Sequence, residues 1–232
     1  MKVSYCITIK NRIQYLAQVL PYNLGITHTA DCEFVIVDYN SEDMCFELVT
    51  EVFENQIRSG RIKYFRTKEP KHFRMSHAKN IAHMNATGDI LCNLDADNLL
   101  LKGFHEFLLT NLSGGGNFVF SSDTPKKKGL TGRVAMLKSD FLKVNGYDER
   151  VTFGFDDYDM RDRLLRLGLK KIVPPHNILE CLEHSDEMRL ANVEDKKTYN
   201  AKEFWDENNR NNVVRANPEG CGKISDLEQI FL

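Results

Sequence analysis

The sequence contains no long apolar run. Its uninterrupted hydrophobic stretches span a few residues each, far short of the ~20 needed to cross a bilayer, and its N-terminus lacks the basic-then-apolar pattern of a secretory leader. It has no C-x-x-C pair: Cys6, Cys32, Cys45, Cys92, Cys181 and Cys221 are scattered through mostly apolar segments, which argues against a disulfide framework and for buried reduced thiols. Cys181 and His184 have the spacing of half a zinc site, but no second half accompanies them. Neither charge sign is in excess: 31 Lys and Arg face 33 Asp and Glu, a net charge of −2. With a pI near 6.4, no global field recruits nucleic acid or an anionic membrane. G-x-G-x-x-G and G-x-x-x-x-G-K-S/T are both missing, which removes the dinucleotide fingerprint and the P-loop. These absences describe a cytoplasmic chain with no nucleic-acid partner and no transmembrane segment, for which peripheral association is the one membrane contact left open.

What is present is an alternation of short apolar runs and amphipathic segments. Strands are predicted at Val3–Ile9, Phe34–Val37, Ile62–Phe65 and Ile90–Leu94, with helices at Arg12–Leu24, Met44–Ile57 and Ser76–Asn85, the last with Ser76 as N-cap. Four strands alternating with helices within a hundred residues predict an α/β fold, a largely parallel sheet with helices on both faces. Beyond Asn98 the pattern loosens. Helices are predicted at Lys102–Leu112, as a short segment capped by Ser139 that stops at Asn145-Gly146, and at Asp156–Leu167, and strands at Asn117–Phe120, Val134–Leu137, Leu169–Val173 and Ile178–Leu182. Lys126–Lys128 read as solvated surface. Past Ser185 the chain turns polar, and Val193, Tyr199, Phe204, Trp205 and Val213 are the residues able to fasten it to the body. The 232 residues are read as one domain: a first half, 1–98, a second, 99–185, and an arm or lid, 186–232.

Two acidic pairs carry the chemistry. Ile90–Leu94 runs directly into Asp95-Ala96-Asp97-Asn98, and period-2 alternation puts both carboxylates on one side of the strand's carboxyl end, where open α/β sheets bind ligands. Such a pair can hold a divalent cation that neutralises a phosphorylated substrate; an ordinary acidic turn would use the same residues. The second cluster is Gly154-Phe155-Asp156-Asp157-Tyr158-Asp159. On a helix, Asp156 and Asp157 flank the apolar stripe of Met160, Leu164 and Leu167, while Asp159 and Asp162 fall on the far side. Acidic residues at a helix N-terminus have a purely structural reading, with i,i+4 pairs from Asp157 to Arg161 and from Asp159 to Arg163. A carboxylate in a partly apolar cleft is instead a general base with a raised pKa, the reading favoured for Asp157. His72, Arg74 and His77 form a basic patch that reads as solvated.

Taken in order, Thr8-Ile9-Lys10-Asn11-Arg12, Val37-Asp38-Tyr39-Asn40-Ser41, Ala78-Lys79-Asn80 through Gly88-Asp89, Asp95-Ala96-Asp97, and Gly146-Tyr147-Asp148 through Asp156-Asp157 resemble family 2 glycosyltransferases over residues 1–185. Gly132–Leu137 and Phe141–Tyr147 are also similar to the β-1,4-galactosyltransferases and chondroitin-polymerase-like enzymes. The resemblance implies a GT-A fold, with residues 1–98 as the nucleotide-sugar half and 99–185 as a smaller acceptor-side subdomain. It implies inverting transfer of a hexose or N-acetylhexosamine from a UDP-sugar to a hydroxyl of a glycan or glycolipid, in polysaccharide biosynthesis. Thr8, Asn11, Arg12, Asp38, Lys79, Asn80 and Asp95 would bind the donor. Asp97, Asp95 and His184 would ligate Mn²⁺ or Mg²⁺. Asp157 would be the base, with Asp156 beside it. Phe153 and Phe155 would stack on an acceptor sugar, and Arg189 could meet a donor phosphate from the lid. Lys10 and Tyr39-Asn40 depart from the commoner residues at their positions. Two rivals stand beside this reading: a catalytically silent nucleotide-sugar or glycan-binding module, and a sugar-phosphate nucleotidyltransferase, which would ordinarily carry a glycine-rich loop after the first strand.

Overall fold

The computed structural model describes residues 1–123, 129–183, 192 and 201–232. Lys126–Lys128, His184, Arg189, Val193 and Tyr199 lie outside the described residues. The chain opens with β1 (Val3–Ile9), α1 (Ile13–Ile26), β2 (Cys32–Tyr39), α2 (Cys45–Val52), α3 (Glu54–Arg58), β3 (Ile62–Thr67), α4 (Met75–Asn85) and β4 (Ile90–Asn93). It continues through β5 (Asn98–Leu100), α5 (Phe104–Leu112), β6 (Asn117–Phe120), β7 (Val134–Leu137), α6 (Lys138–Val144), α7 (Asp156–Arg166), β8 (Lys170–Ile172) and β9 (Leu179–Cys181). The helix Ala201–Arg210 (α8) and the strand Glu228–Ile230 (β10) close the described chain.

The main sheet has the order β10-β3-β2-β1-β4-β7-β6-β8. β1 pairs in parallel with both β2 and β4, β2 with β3, and β6 with β8; β7 and β10 run against their neighbours. The sheet is therefore mostly parallel, as expected. Its alternation explains the double layer. Tyr5, Ile7, Ile9, Phe34, Ile36 and Tyr64 pack with Leu16, Leu20, Val49 and Leu108 on one face, whereas Cys6, Val35, Val37, Phe65 and Leu91 pack with Ile81, Phe141, Met160 and Leu164 on the other. Every residue of β2 is buried, as a strand covered on both faces requires. Burying each large apolar side chain contributes roughly 1.5–3 kcal/mol.

After β3 the chain returns to the far side of β1 to lay down β4, so the direction of strand addition reverses between β1 and β4. Ligands bind outside the carboxyl ends of strands at such a reversal. A separate two-stranded sheet pairs β5 with β9 antiparallel, which holds the segment after Asp97 against Leu179–Cys181.

Several local expectations are corrected. The helix expected over Met44–Ile57 breaks at Phe53, whose φ of −112° ends α2 before α3 begins, with both Phe53 and Ile57 in the core. Ser76 does not cap α4: Arg74 takes that position, and the Ser76 hydroxyl donates to the Val151 carbonyl. Ser139 lies inside α6 rather than capping it. Asp159, on the far side of the helical stripe, is buried because α8 covers that side; it pairs with Arg163 at 2.7 Å and accepts a hydrogen bond from Asn208 at 2.8 Å. Arg161 pairs with its neighbour Asp162, not with Asp157. The described part of the C-terminal segment is fastened to the body, since β10 extends the sheet beside β3 and Asp226 accepts hydrogen bonds from Thr67, Lys68 and Glu69. All six cysteines are free thiols, five of them buried. Among the described residues, no helix is long and apolar enough to cross a membrane.

The buried Asp159–Arg163 pair yields a stability prediction. Asp159→Ala leaves the Arg163 guanidinium, fully enclosed, without its counter-charge, and is expected to cost about 3–5 kcal/mol. Urea unfolding measures this directly; a loss below about 1 kcal/mol would show that the buried pair within α7 does not stabilise the fold.

Candidate active site

At the carboxyl ends of β1 and β4 lies a cleft of about 1020 Å³. Thr8 and Arg12 reach it from the end of β1, Asp95 and Asp97 from the end of β4, Lys79 from α4, and Phe153, Phe155, Asp156 and Asp157 from the start of α7. The two acidic pairs, some sixty residues apart in sequence, thus line the same cavity.

Lys79 joins the helices that carry this chemistry. Its Nζ lies 2.5 Å from Asp156 Oδ2 and 2.7 Å from Asp157 Oδ1, with the Lys79 and Asp156 side chains 2% and 4% exposed and that of Asp157 19%. One cation is shared by two carboxylates, so the group keeps a net negative charge. Burial first, then the neighbouring Asp156 carboxylate, push Asp157 up to about 7, with Lys79 acting in the opposite direction. The same two acids hold the Lys79 ammonium well above its ordinary value against the cost of burial. Gly132, at φ +87°, presses on this carboxylate: a Cβ there would lie 1.9 Å from Asp157 Oδ2. Only glycine combines that backbone conformation with that approach.

The β4 carboxylates are held by arginines. Arg133 places a guanidinium nitrogen 2.7 Å from Asp95 Oδ2, and Arg12 Nη1 lies 3.9 Å from Asp97 Oδ2. Asn98 sets the turn, donating to Asp97 Oδ1 at 3.0 Å and accepting from the Asp95 amide at 3.0 Å. Among the described residues no cluster of three or more His, Cys, Asp or Glu side chains forms.

Some expected site residues do not line the cleft. Asp38 is fully buried, its side chain accepting from Tyr64 at 2.8 Å and from the Ser41 amide at 2.9 Å, with Arg66 at 3.7 Å. Asn80 clamps the loop before α7, bonded to both the amide and the carbonyl of Tyr147. Asn11, at φ +52°, holds Asn192, whose own amide donates to the Lys10 carbonyl; Asn192, not Asn11, lines the cleft. His184 lies outside the described residues. The basic patch divides: His77 is buried and bonded to the Tyr39 hydroxyl and the Lys223 carbonyl, while Arg74 reaches the Glu149 carbonyl.

Sequence reasoning missed Lys10, Phe73, Asp123 and Arg133, all of which line the cleft. Lys10 bonds to the carbonyls of Tyr39 and Asn40, and burial lowers its pKa. Arg133 immediately precedes β7, and its place in the cleft follows from the antiparallel pairing of β7 with β4. Phe155, with φ of 60°, stacks on Trp205 at 5.2 Å and 22°, and Tyr158 tilts against both rings.

The sequence matches the family model of glycosyl transferase family 2 over residues 4–165. The chain belongs to this family. Its sheet and flanking helices are those of the GT-A fold, shared with solved glycosyltransferases of low sequence identity. The S. aureus TarS 1–349 structure in complex with UDP-GlcNAc superposes with a TM-score of 0.66 at 13% identity, over 88% of this chain and 65% of that one. GalNAc-T7 with UDP, GalNAc and Mn²⁺ gives 0.65 at 15% identity, over 80% and 44%. The mannosyltransferase PcManGT from Pyrobaculum calidifontis, in complex with GDP-Man and Mn²⁺, gives 0.61 at 19% identity, over 88% and 60%. The chain thus spans less than two thirds of the length of each. No curated protein matches it.

The shared cation makes a prediction for this glycosyltransferase domain. In Lys79→Met the Asp157 carboxyl loses its compensating charge and its pKa rises from about 7. A folded-state pKa raised above the unfolded value near 3.9 withdraws stability as pH rises through it. The variant is therefore expected to lose about 3–5 kcal/mol at a pH near 8.5 and markedly less near pH 5.5, read by urea unfolding at the two values. A loss independent of pH would remove Lys79 as the counter-ion of Asp157.

Proposed function

We propose that this domain is an inverting, metal-dependent glycosyltransferase that moves a hexose or N-acetylhexosamine from a UDP-sugar to a hydroxyl of a glycan or glycolipid, in the cytoplasm. The observation that carries the reading is Asp157: a partly accessible carboxylate with a pKa near neutrality, sharing one cleft with the Asp95–Asp97 pair. At pH 7 such a group is partly deprotonated yet basic enough to take a proton, the compromise general-base catalysis favours. The acceptor hydroxyl gives its proton to Asp157 as its oxygen attacks the anomeric carbon. The bond from that carbon to the phosphate oxygen breaks, the electron pair leaves with the nucleoside diphosphate, and a single displacement inverts the centre.

Asp95 and Asp97 would hold the cation. Two carboxylates suit a Mg²⁺-like or Mn²⁺ site in which water and diphosphate oxygens complete the shell, and the presence of Mn²⁺ with the nucleotide in two of the similar structures supports that choice. The bound cation would supply charge neutralisation for the departing diphosphate. Thr8, Arg12 and Lys79 line the same cleft and would meet the donor. Phe153 and Phe155 line the cleft just before α7, and the acceptor sugar would pack against them there, Phe155 through the face not stacked on Trp205. Free thiols at all six cysteines support a reducing compartment.

Asp157→Asn keeps the shape of the site but removes the base, and is expected to lower turnover about 10²–10⁴-fold while UDP affinity in the presence of Mn²⁺ stays unchanged. In the unsubstituted domain kcat/KM should fall as pH drops below about 7, because protonation disables the base, and that limb should vanish in the variant. Normal turnover in Asp157→Asn, measured as UDP release with sugar acceptors, would end the assignment. Asp97→Ala is expected to weaken Mn²⁺-dependent UDP binding by roughly tenfold or more, read by calorimetry.

A further inference from the structure

The cleft carries a charge problem that the acidic pairs alone do not solve. Its described lining holds seven carboxylate side chains and four cationic ones, so it repels a diphosphate. Two of those cations are committed to the residues that would take the metal: Arg133 to Asp95 at 2.7 Å and Arg12 to Asp97 at 3.9 Å. Arg133 is 5% exposed, and its Nε is buried with no hydrogen-bond partner among the described residues. Its Nη1 donates to the Thr131 carbonyl at 3.0 Å, and Nη2, the nitrogen beside Asp95, also donates to the Gly129 carbonyl at 2.5 Å. A buried guanidinium with an unspent donor, facing a cleft that must accept an anion, is under-satisfied as it stands.

We propose that Arg133 and Arg12 are resident counter-ions of Asp95 and Asp97 that change partners on loading: when a divalent cation takes the carboxylates, both guanidiniums turn to the diphosphate of the nucleotide. This rests on the donor-site reading above and extends it to how the two ligands depend on each other. A guanidinium and a divalent cation compete for the same carboxylate oxygens, so the arginines oppose metal binding by itself. Once released, their planar forks match phosphate oxygens two at a time, and the Nε of Arg133 gains the acceptor it lacks. Each ligand removes the obstacle to the other, and the coupling must be reciprocal.

Phosphate oxygens ligating the metal would also couple the two ligands, so the test turns on the metal alone. Mn²⁺ binding is followed by the electron paramagnetic resonance signal of the free ion, and UDP binding by calorimetry with and without saturating Mn²⁺, GDP serving as the parallel nucleotide. Exchange predicts that Mn²⁺ alone binds Arg133→Gln at least fivefold more tightly than the unsubstituted domain, while the enhancement of UDP affinity by Mn²⁺ shrinks at least fivefold. Arg12→Gln, whose side chain is 19% exposed, should shift both quantities in the same directions and decides the matter if the buried Arg133 cannot be replaced without unfolding. Unchanged or weaker Mn²⁺ affinity in these variants, alongside Mn²⁺-dependent UDP binding in the unsubstituted domain, would overturn the exchange and leave the donor site standing. Absence of binding by either nucleotide with Mn²⁺ present would overturn both.

Discussion

The ion-pair group of Lys79 with Asp156 and Asp157 is the interaction on which the active-site geometry turns. Burying an ammonium and two carboxylates carries a desolvation cost of several kcal/mol per ion, recovered only if all three stay within hydrogen-bond distance. Because Lys79 belongs to α4 and the acids to α7, that requirement fixes one helix against the other. α4 packs on the strands of the first half, while α7 follows β7 and α6 in chain order. The electrostatic demand therefore sets the distance between α4 and the start of α7 on the two sides of the cleft.

Topology supplies the other side of the cleft. Reversal of strand addition between β1 and β4 leaves a gap at their carboxyl ends, and the residues just past those ends, Arg12 on one side and Asp95 and Asp97 on the other, face each other across it. β7 runs antiparallel to β4, with Cys92 opposite Ala135, so the start of β7 meets the end of β4. That register brings Arg133 to Asp95 although 38 residues separate them in the sequence.

Much of this was legible from residue pattern. Short apolar runs alternating with helical segments found the strands from β1 to β4, and the run ending in Asp95 and Asp97 announced its place in a sheet. The helical stripe of α7 put Asp156 and Asp157 inward, where they are. What remained hidden depended on pairings that spacing does not encode. Asp38 follows Phe34 and Ile36 on the same face of β2, and its carboxylate accepts from the Tyr64 hydroxyl and the Ser41 amide rather than lining the cleft. Asn80 is one residue from Lys79, about 100° around the helix, and so serves the loop at Tyr147 instead. Arg133 required knowing that β7 is antiparallel, and the burial of Asp159 required the arrival of α8 from far along the chain.

The division of labour between the two α7 acids follows from small differences in their surroundings. Both sit in the first turn of α7, where the helix dipole favours the ionised form. Asp156 makes the shorter contact with Lys79 and is the more enclosed, so it is the standing partner of the ammonium. Asp157 shares that ammonium at longer range, retains access to the cleft, and has Gly132 against its carboxylate in place of a side chain. Burial with only part of a counter-charge is what raises its proton affinity toward neutrality. An acid fully paired with Lys79 would be too weak a base, and one left without any cation would stay protonated at pH 7. Sharing a single lysine between neighbours leaves the more enclosed carboxylate closest to the ammonium and the other within reach of the cleft, and it is on this asymmetry of access that the proposed base role of Asp157 rests.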